Sequence, residues 1–359
     1  MTDAATNPAT DHAGAALPVA VVAGTGYGGV ELLRLLRRHP GFALVEVTAR
    51  SAQGQRVCDV FPQLPDVALP LSERVERAEL VFLAQPDHAA VESAPPLLAE
   101  GRRVVDLSAA FRLRAPALYP EWYGYEHPVP ALLESAVYGL PELHRADLAA
   151  ARLVACPGCY PTAAVLALAP ALAHDLIEPG IIVDAKSGLS GAGRGLTLGA
   201  HYAEANEDVA AYGLAGHRHL PEIVQELEGV LRGRAGGAPA PPRVTFTPHL
   251  VPMTRGILAT CYADLRPGVS ADAVRAAYEA AYRDEPFVHV LAQPPHTKYA
   301  TATNHTFIHP VVDARTGRLV VVAALDNLGK GAAAQAIQCA NLMAGLPETT
   351  GLDDGGVYP

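Results

Sequence analysis

Apolar residues fall in short runs punctuated by glycine and proline, and the spacing within the runs alternates between two periods. A continuous run from Val19 to Ala23 reads as a strand, and Leu32, Leu33, Leu35 and Leu36 then recur at helical spacing. "ALVEVTARS", "ELVFLAQP" and "RRVVDLS" predict three more strands, with "HAAVESAPPLLAEG" as a helical stretch before the last of them. Strands interleaved with helices predict a parallel sheet wound by right-handed crossovers. Further on, "RLVACPGCYPTAAVLALAP" reads as strand, tight turn and helix. "RVTFTPHL", "GILATCYADL" and "LVVVAALD" predict a second, mixed sheet. No solenoid period appears. The expected class is α/β: a Rossmann domain followed by an α+β domain.

Composition narrows this picture. At 359 residues, half of them apolar, the chain is long enough for a core divided over two domains. Acidic residues outnumber basic ones, 37 to 27, and no basic stretch is sustained beyond "RLLRRH", so nucleic acid is not expected as a partner. The longest apolar run, 163–173, contains Pro170 and falls short of the ~20 residues that a bilayer requires, so no membrane span is expected. Residues 1–17 lack the basic and apolar regions of a signal peptide and read as a disordered tail. Five cysteines are too few and odd in number for a secreted disulfide framework, which suits a reducing cytoplasm.

Gly24, Gly26 and Gly29 form G-x-G-x-x-G between the first strand and first helix, with Thr25, Tyr27 and Gly28 interleaved. In that context the glycines permit a tight turn and close approach of backbone to a pyrophosphate at the helix N-terminus. About 20 residues further on, where an NAD site would offer a carboxylate, stand Arg50 and Ser51. A guanidinium and a hydroxyl suit a 2′-phosphate, so the expected cofactor is NADP. Glu46 lies mid-strand and does not restore an NAD site.

Cys156 and Cys159 flank Pro157 and Gly158. Cys159 is expected at a helix N-terminus, where the dipole and free N–H groups lower a thiol pKa and favour the nucleophilic thiolate. Cys156 ends an apolar strand and is expected to be partly buried, behaving as a small hydrophobe. A thioredoxin-like pair would belong early in a small domain, whereas this one follows a complete nucleotide-binding half. A structural zinc would need two more ligands, which the isolated remaining cysteines do not supply, although His217 and His219 offer nitrogen. The reading adopted is a single catalytic thiol and no metal. A second glycine-rich loop carries Ser187, Gly188, Ser190, Gly191 and Arg194 and is expected to wrap a ligand. His217, Arg218, His219 and Glu222 cluster before an amphipathic helix, combining a proton carrier near neutral pH with a cation for an anion.

These motifs, "AGTGYGGVELLRLLRRHP", "DLSAAFRL", "YGLPEL", "PGCYPTA", "SGLSGAGR", "GHRHLPEI", "FTPHLVPMTRGI" and "DNLGKGAAAQAIQCANLMAGLPETTGL", are similar in sequence and order to those of the N-acetyl-gamma-glutamyl-phosphate reductase family. The likeness spans residues 18–352. It implies a second domain of the semialdehyde dehydrogenase and glyceraldehyde-3-phosphate dehydrogenase type, with a dinucleotide-binding domain at 18–155, a catalytic and oligomerisation domain at 156–325, and a C-terminal helix at 326–359 returning to the first. It further implies NADPH-dependent reductive dephosphorylation of a small acyl phosphate, N-acetyl-L-glutamyl 5-phosphate, in arginine biosynthesis, by a homodimer or homotetramer. Cys159 would form a thioester, with His217 as acid/base and His219 toward the substrate. Arg112 matches a phosphate-binding arginine of related enzymes, Arg255 is expected at the substrate carboxylate with Glu222 also on the substrate, and Ser187, Gly188, Ser190, Gly191, Asn327 and Lys330 are expected at the cofactor. The chain departs from the pattern at Cys156, where the family often has Asn, at Ala110, where Asp is common, and at "FLAQPDHAA". Two alternatives stand beside this reading: a lysine-pathway reductase of a carrier-linked aminoadipyl phosphate, and a non-catalytic nucleotide or redox sensor using both cysteines. A carrier-binding enzyme should carry a basic patch near its mouth, and the sequence shows none.

Overall fold

The computed structural model describes residues 16–50, 52–233, 241–352 and 355–358. Most of the expected 1–17 tail lies outside the described residues, and Leu17 already opens the first strand, its N–H bonded to Gly41 O at 2.9 Å.

Seven strands form the first sheet: β1 (Leu17–Val22), β2 (Phe42–Thr48), β3 (Leu71–Ser72), β4 (Leu80–Leu83), β5 (Arg103–Asp106), β6 (Val137–Tyr138) and β7 (Leu153–Ala155). Their order is β3-β2-β1-β4-β5-β7-β6, and every pairing is parallel. Val19, Ala20 and Val21 in β1, and all of β4, are buried, as strands covered on both faces require. The order reverses beside β1, between β1 and β4, and the crevice beyond the carboxyl ends of the strands there is where such sheets hold a ligand. The glycine-rich turn follows β1 directly and leads into the helix Tyr27–Leu36.

The second sheet runs β12-β13-β14-β11-β8-β10-β9, from β8 (Ile177–Ser187), β9 (Ala210–Ala211), β10 (Arg243–Leu250), β11 (Ile257–Leu265), β12 (Val288–Val290), β13 (Thr306–Asp313) and β14 (Arg318–Leu325). It is mixed: β8 pairs with β10, and β12 with β13, in parallel, and the other neighbours are antiparallel. Alternate residues such as Ile181, Val183 and Ala185 of β8 and Ile257, Ala259 and Cys261 of β11 enter a core shared with the helices Cys159–Ala173, Leu220–Arg232 and Ala271–Tyr282.

The helix Cys159–Ala173 is buried at every position from Tyr160 to Leu172. A helix apolar all round belongs inside a core. Only its first turn reaches the crevice. After β14 the chain makes a π-turn, Gly329–Ala333, against that first turn and continues as the helix Ala334–Met343. Ala336, Ile337, Cys339, Ala340 and Met343 then join Leu32, Leu33 and Val154 in the core beside the first sheet.

A buried ion pair anchors this return. Lys330 Nζ lies 2.5 Å from Glu142 Oε1 and 2.7 Å from Gln338 Oε1, and both charged side chains are shielded from solvent. Removing one partner strands the other charge in an apolar setting. Glu142→Ala is therefore expected to lower unfolding free energy by about 3 kcal/mol, while the paired apolar replacement Lys330→Met/Glu142→Leu loses much less. Urea denaturation followed by circular dichroism measures both, and equal losses would contradict the assignment.

Candidate active site

Two cavities meet at Cys159. A cleft of 580 Å³ runs from the glycine-rich turn to the Ser190–Gly195 loop, and a cavity of 350 Å³ continues beneath Tyr212, His217 and Leu250. Cys159, Gly191, Ala192, Arg218 and His219 line both. A larger hollow of 720 Å³ beside β6 and β7 contains none of the residues expected at the site.

Thr25, Gly26, Tyr27 and Gly28 form one wall of the cleft. Gly24 and Gly29 do not line it; they are glycine because a Cβ would collide with Val47 Cγ1 at Gly24 and approach Ala23 O to 2.7 Å at Gly29. At Gly26 and Gly28 the nearest atoms would be 3.7 and 3.8 Å away, so side chains there would narrow the cleft rather than clash. No side chain caps the helix Tyr27–Leu36, which leaves its first-turn N–H groups available to an anion. Glycine-lined cleft and uncapped helix together fit a dinucleotide. Arg50 is exposed beyond β2, and Ser51 lies outside the described residues. Glu46 instead accepts the N–H groups of Glu76, Arg77 and Ala78 at 3.0, 2.9 and 3.1 Å.

The opposite wall differs in part from expectation. Ser190, Gly191 and Asn327 line the cleft, with Asn327 Nδ2 donating to Ser190 Oγ at 2.9 Å. Ser187 lines the smaller cavity rather than the cleft. Gly188 faces neither, since its Cα is pressed against the loop before β11, where a Cβ would meet Thr254 O at 2.8 Å. Lys330 is absent from the site, because its ammonium is committed to Glu142 inside the protein.

The turn before Cys159 is held from several sides. Glu222 Oε1 accepts the Gly158 N–H at 2.6 Å and the Tyr138 hydroxyl at 2.7 Å. Thr162 Oγ1 donates to Gly158 O at 3.0 Å, and a Cβ on Gly331 would come within 2.7 Å of Cys159 Cβ. The wholly buried Glu222 lines neither cavity. It supports the turn before Cys159 from inside the protein, and burial raises its carboxyl pKa. Arg112 does line the cleft, but Nε donates to Cys156 O at 2.7 Å, one Nη to Leu107 O at 2.9 Å, and the other lies 3.5 Å from Glu222. Its guanidinium is an anchored positive charge beside Cys159.

The thiol itself departs from the expected thiolate. Burial pushes the Cys159 pKa up to about 11, against the lowering influence of Arg112 and of the Tyr160 and Cys159 N–H groups. Cys261, with burial alone acting on it, reaches about 12. The helix start thus works in the expected direction but does not overcome desolvation. Cys156 is fully rather than partly buried, and all five cysteines are free thiols.

His219 is buried, its ring packed on Gly158 so closely that a Cβ there would meet Nε2 at 2.5 Å. Its Nδ1 is buried without a hydrogen-bond partner. His217 is partly exposed, and its Nδ1 accepts the His219 N–H at 3.1 Å. Burial lowers both imidazoles, His217 to about 4 and His219 well below its usual range, with Arg112 acting further on His219 and Arg218 on both. Both rings are neutral at pH 7.

Arg255 lines neither cavity. Its Nε lies 2.9 Å from Asp326 and one Nη 3.1 Å from Glu31, so the guanidinium expected at a substrate carboxylate is engaged by two carboxylates of the protein instead. Arg112, Arg194 and Arg218 line the cleft, and of these Arg218 also lines the smaller cavity, exposed and with no ion-pair partner among the described residues. The signal for it was its place in the His-Arg-His run.

Family models described as "Semialdehyde dehydrogenase, NAD binding domain" and "Semialdehyde dehydrogenase, dimerisation domain" match residues 18–151 and 159–327. The fold is similar to aspartate semialdehyde dehydrogenase II of Vibrio cholerae, with a TM-score of 0.70 at 16% identity over 92% of this chain and 99% of that one. A similar enzyme from Candida albicans aligns with a TM-score of 0.68 at 16% identity, over 92% and 99% of the respective chains. In sequence the chain is 54% identical to an N-acetyl-gamma-glutamyl-phosphate reductase of Dehalococcoides mccartyi, over 93% of this chain and 97% of that one. It is 48% identical to one of Heliobacterium modesticaldum, over 95% and 99%. Likeness of this degree, over nearly the whole length, places the chain in the N-acetyl-gamma-glutamyl-phosphate reductase family.

Proposed function

We propose that this chain catalyses the NADPH-dependent reductive dephosphorylation of N-acetyl-L-glutamyl 5-phosphate to N-acetyl-L-glutamate 5-semialdehyde through a thioester on Cys159, as a homo-oligomer in the cytoplasm. The observation that carries it is the position of Cys159, on the wall shared by a dinucleotide-shaped cleft and a smaller cavity with a free cation. The names of the relatives supply the substrate.

Cys159 attacks the acyl carbon as His219 accepts the thiol proton, and the carbonyl–phosphate bond breaks. His219 then passes that proton to the departing phosphate, leaving the acyl group on sulfur. A nicotinamide dinucleotide held by Thr25, Gly26 and Gly28 on one wall and Ser190 and Gly191 on the other would supply hydride to this thioester. Cys159 departs from the resulting thiohemiacetal, the aldehyde is released, and His219 relays the one proton taken from solvent. His219 is favoured over His217 because it packs on the Cys159 turn and leaves Nδ1 unpartnered, whereas His217 Nδ1 accepts the His219 backbone N–H. Arg112 supplies fixed positive potential to the developing thiolate. Arg218 pairs with the substrate's anionic groups.

NADP is favoured over NAD because Arg50, not a carboxylate, follows β2, and Glu46 is occupied with backbone N–H groups. The solved Candida albicans relative was crystallised with NADP. Oligomerisation is supported by the family model's description and by the segment from Leu196 to Leu214, which walls the smaller cavity through Thr197, Ala200 and Tyr212. Leu196, Leu198, Tyr202, Val209 and Leu214 on that segment are 61% to 103% exposed, an apolar surface that a second copy would cover. A cytoplasmic setting agrees with five free thiols, and no helix among the described residues is long and apolar enough to cross a membrane.

Three outcomes follow. Cys159→Ser is expected to abolish phosphate-dependent NADP reduction with free N-acetyl-glutamate semialdehyde, while Cys156→Ser keeps most of the activity; loss in both variants would favour a redox pair, and inactivity without a carrier protein would favour the lysine-pathway reading. Arg218→Gln is expected to raise the KM for the acyl phosphate at least ~30-fold, with little change in that for NADPH. Iodoacetamide labelling of Cys159 should accelerate with pH well past the ordinary thiol value of 9.0, toward about 11. Arg112→Met should move the midpoint higher still, because it removes a cation that favours thiolate; a midpoint below 9 would contradict the account.

A further inference from the structure

The two walls of the cleft come from distant parts of the chain, so something must set the distance between them. One wall is the start of the helix Tyr27–Leu36. The other is the turn at Ser190, which hangs on the loop before β11: Leu189 N–H donates to Met253 O at 2.9 Å, Ser190 N–H to Thr254 O at 3.1 Å, and Gly188 N–H to Gly256 O at 2.9 Å. Gly256 N–H donates to Asn327 Oδ1 at 2.7 Å, and Asn327 Nδ2 donates back to Ser190. Turn, loop and Asn327 are one hydrogen-bonded body.

Arg255 leaves that body and crosses to the first wall. Its Nε donates to both oxygens of Asp326, at 3.1 and 2.9 Å, and Nη1 donates to Glu31 Oε2 at 3.1 Å. Glu31 lies one turn along the helix whose first residues form the glycine-lined wall, and Arg34 on the same helix donates to Glu31 at 2.8 Å and to Ala302 O at 3.3 Å. Asp326 is fully buried and also accepts N–H groups from Ala302, Leu328 and Gly329, at 2.6, 2.8 and 3.2 Å. Its geometry leaves it no freedom to move with the helix. The planar fork of an arginine suits such a bridge, and a shielded pair is little weakened by salt. A second link across the cleft, from Arg194 Nη1 to Thr25 O at 2.8 Å, is exposed.

We propose that Arg255, clamped between Glu31 and Asp326, is a positioning residue that fixes the width of the dinucleotide cleft. The inference rests on the reading of that cleft given above. It assigns Glu31 a role that its place inside a helix conceals, and it predicts that loosening the clamp weakens the nucleotide and spares the thiol.

The deciding variant is Glu31→Gln, which removes the charge that Arg255 meets across the cleft and leaves its bond to Asp326 intact; Glu31→Asp is the conservative companion. NADPH affinity is read by fluorescence titration, the KM for acyl phosphate by steady-state kinetics, and the Cys159 microenvironment by its iodoacetamide rate. Glu31→Gln should raise the NADPH dissociation constant about tenfold, in keeping with the coupling of contacting charged groups. Glu31→Asp should recover most of the affinity, and neither variant should alter the labelling rate or the acyl-phosphate KM. Unchanged NADPH affinity in Glu31→Gln would overturn the inference, as would equal losses in labelling and substrate binding, which mark general damage. If the unaltered protein itself fails to bind NADPH, the cofactor reading fails first and the clamp with it.

Discussion

Everything at this site depends on a helix with nowhere else to go. From Tyr160 to Leu172 the helix that carries Cys159 is enclosed by the mixed sheet, the helix Leu220–Arg232 and the returning C-terminal turn. In its first turn only Cys159 is partly exposed, so the thiol inherits a fixed position from the packing of a whole core. The neighbouring elements are then tuned to that turn: Glu222 on the Gly158 N–H, Thr162 on the Gly158 carbonyl, and the glycine at 331 that lets the last turn lie against Cys159. A displacement of any of them would be transmitted to the sulfur, because close-packed interiors do not absorb small shifts.

The same burial that fixes the thiol also keeps it protonated. Arg112 and the helix N–H groups favour the thiolate, yet desolvation outweighs them. The two histidines are kept neutral by the same cause. Cys159, His217 and His219 are therefore uncharged at rest, beside the anchored guanidinium of Arg112. In the proposed reaction charge would develop only as bonds change, in surroundings where fixed dipoles count for more than they would in water.

Burial also sorts the charged residues into two groups. Glu222, Asp326, Glu142 and Lys330 lie inside, each paired or hydrogen-bonded, and hold elements together. Arg218 and Arg50 remain outside, exposed to solvent. In a protein joined from two sheets, the interior group does the work of alignment: Lys330 anchors the returning chain to Glu142, and Arg255 joins the glycine-bearing helix to the loop that supports Ser190.

Local chemistry was legible along the chain. Glycine spacing announced the turn after β1, alternation announced the mixed sheet, and the Pro-Gly-Cys turn before an apolar run placed Cys159 at a helix start, since each feature is set by neighbours within a few residues. What a charged side chain does is set by partners 71 to 224 positions away, as for Arg255 with Asp326 and Glu31, or Lys330 with Glu142. No spacing rule reports those distances, so Arg255, Glu222 and Lys330 looked like ligand contacts until folding brought their partners to them. The thiol's protonation state likewise required knowing how much protein surrounds it. The sequence by itself determined which residues could react; only the tertiary structure decided which are exposed to do so, because desolvation and long-range pairing exist only once the core has closed.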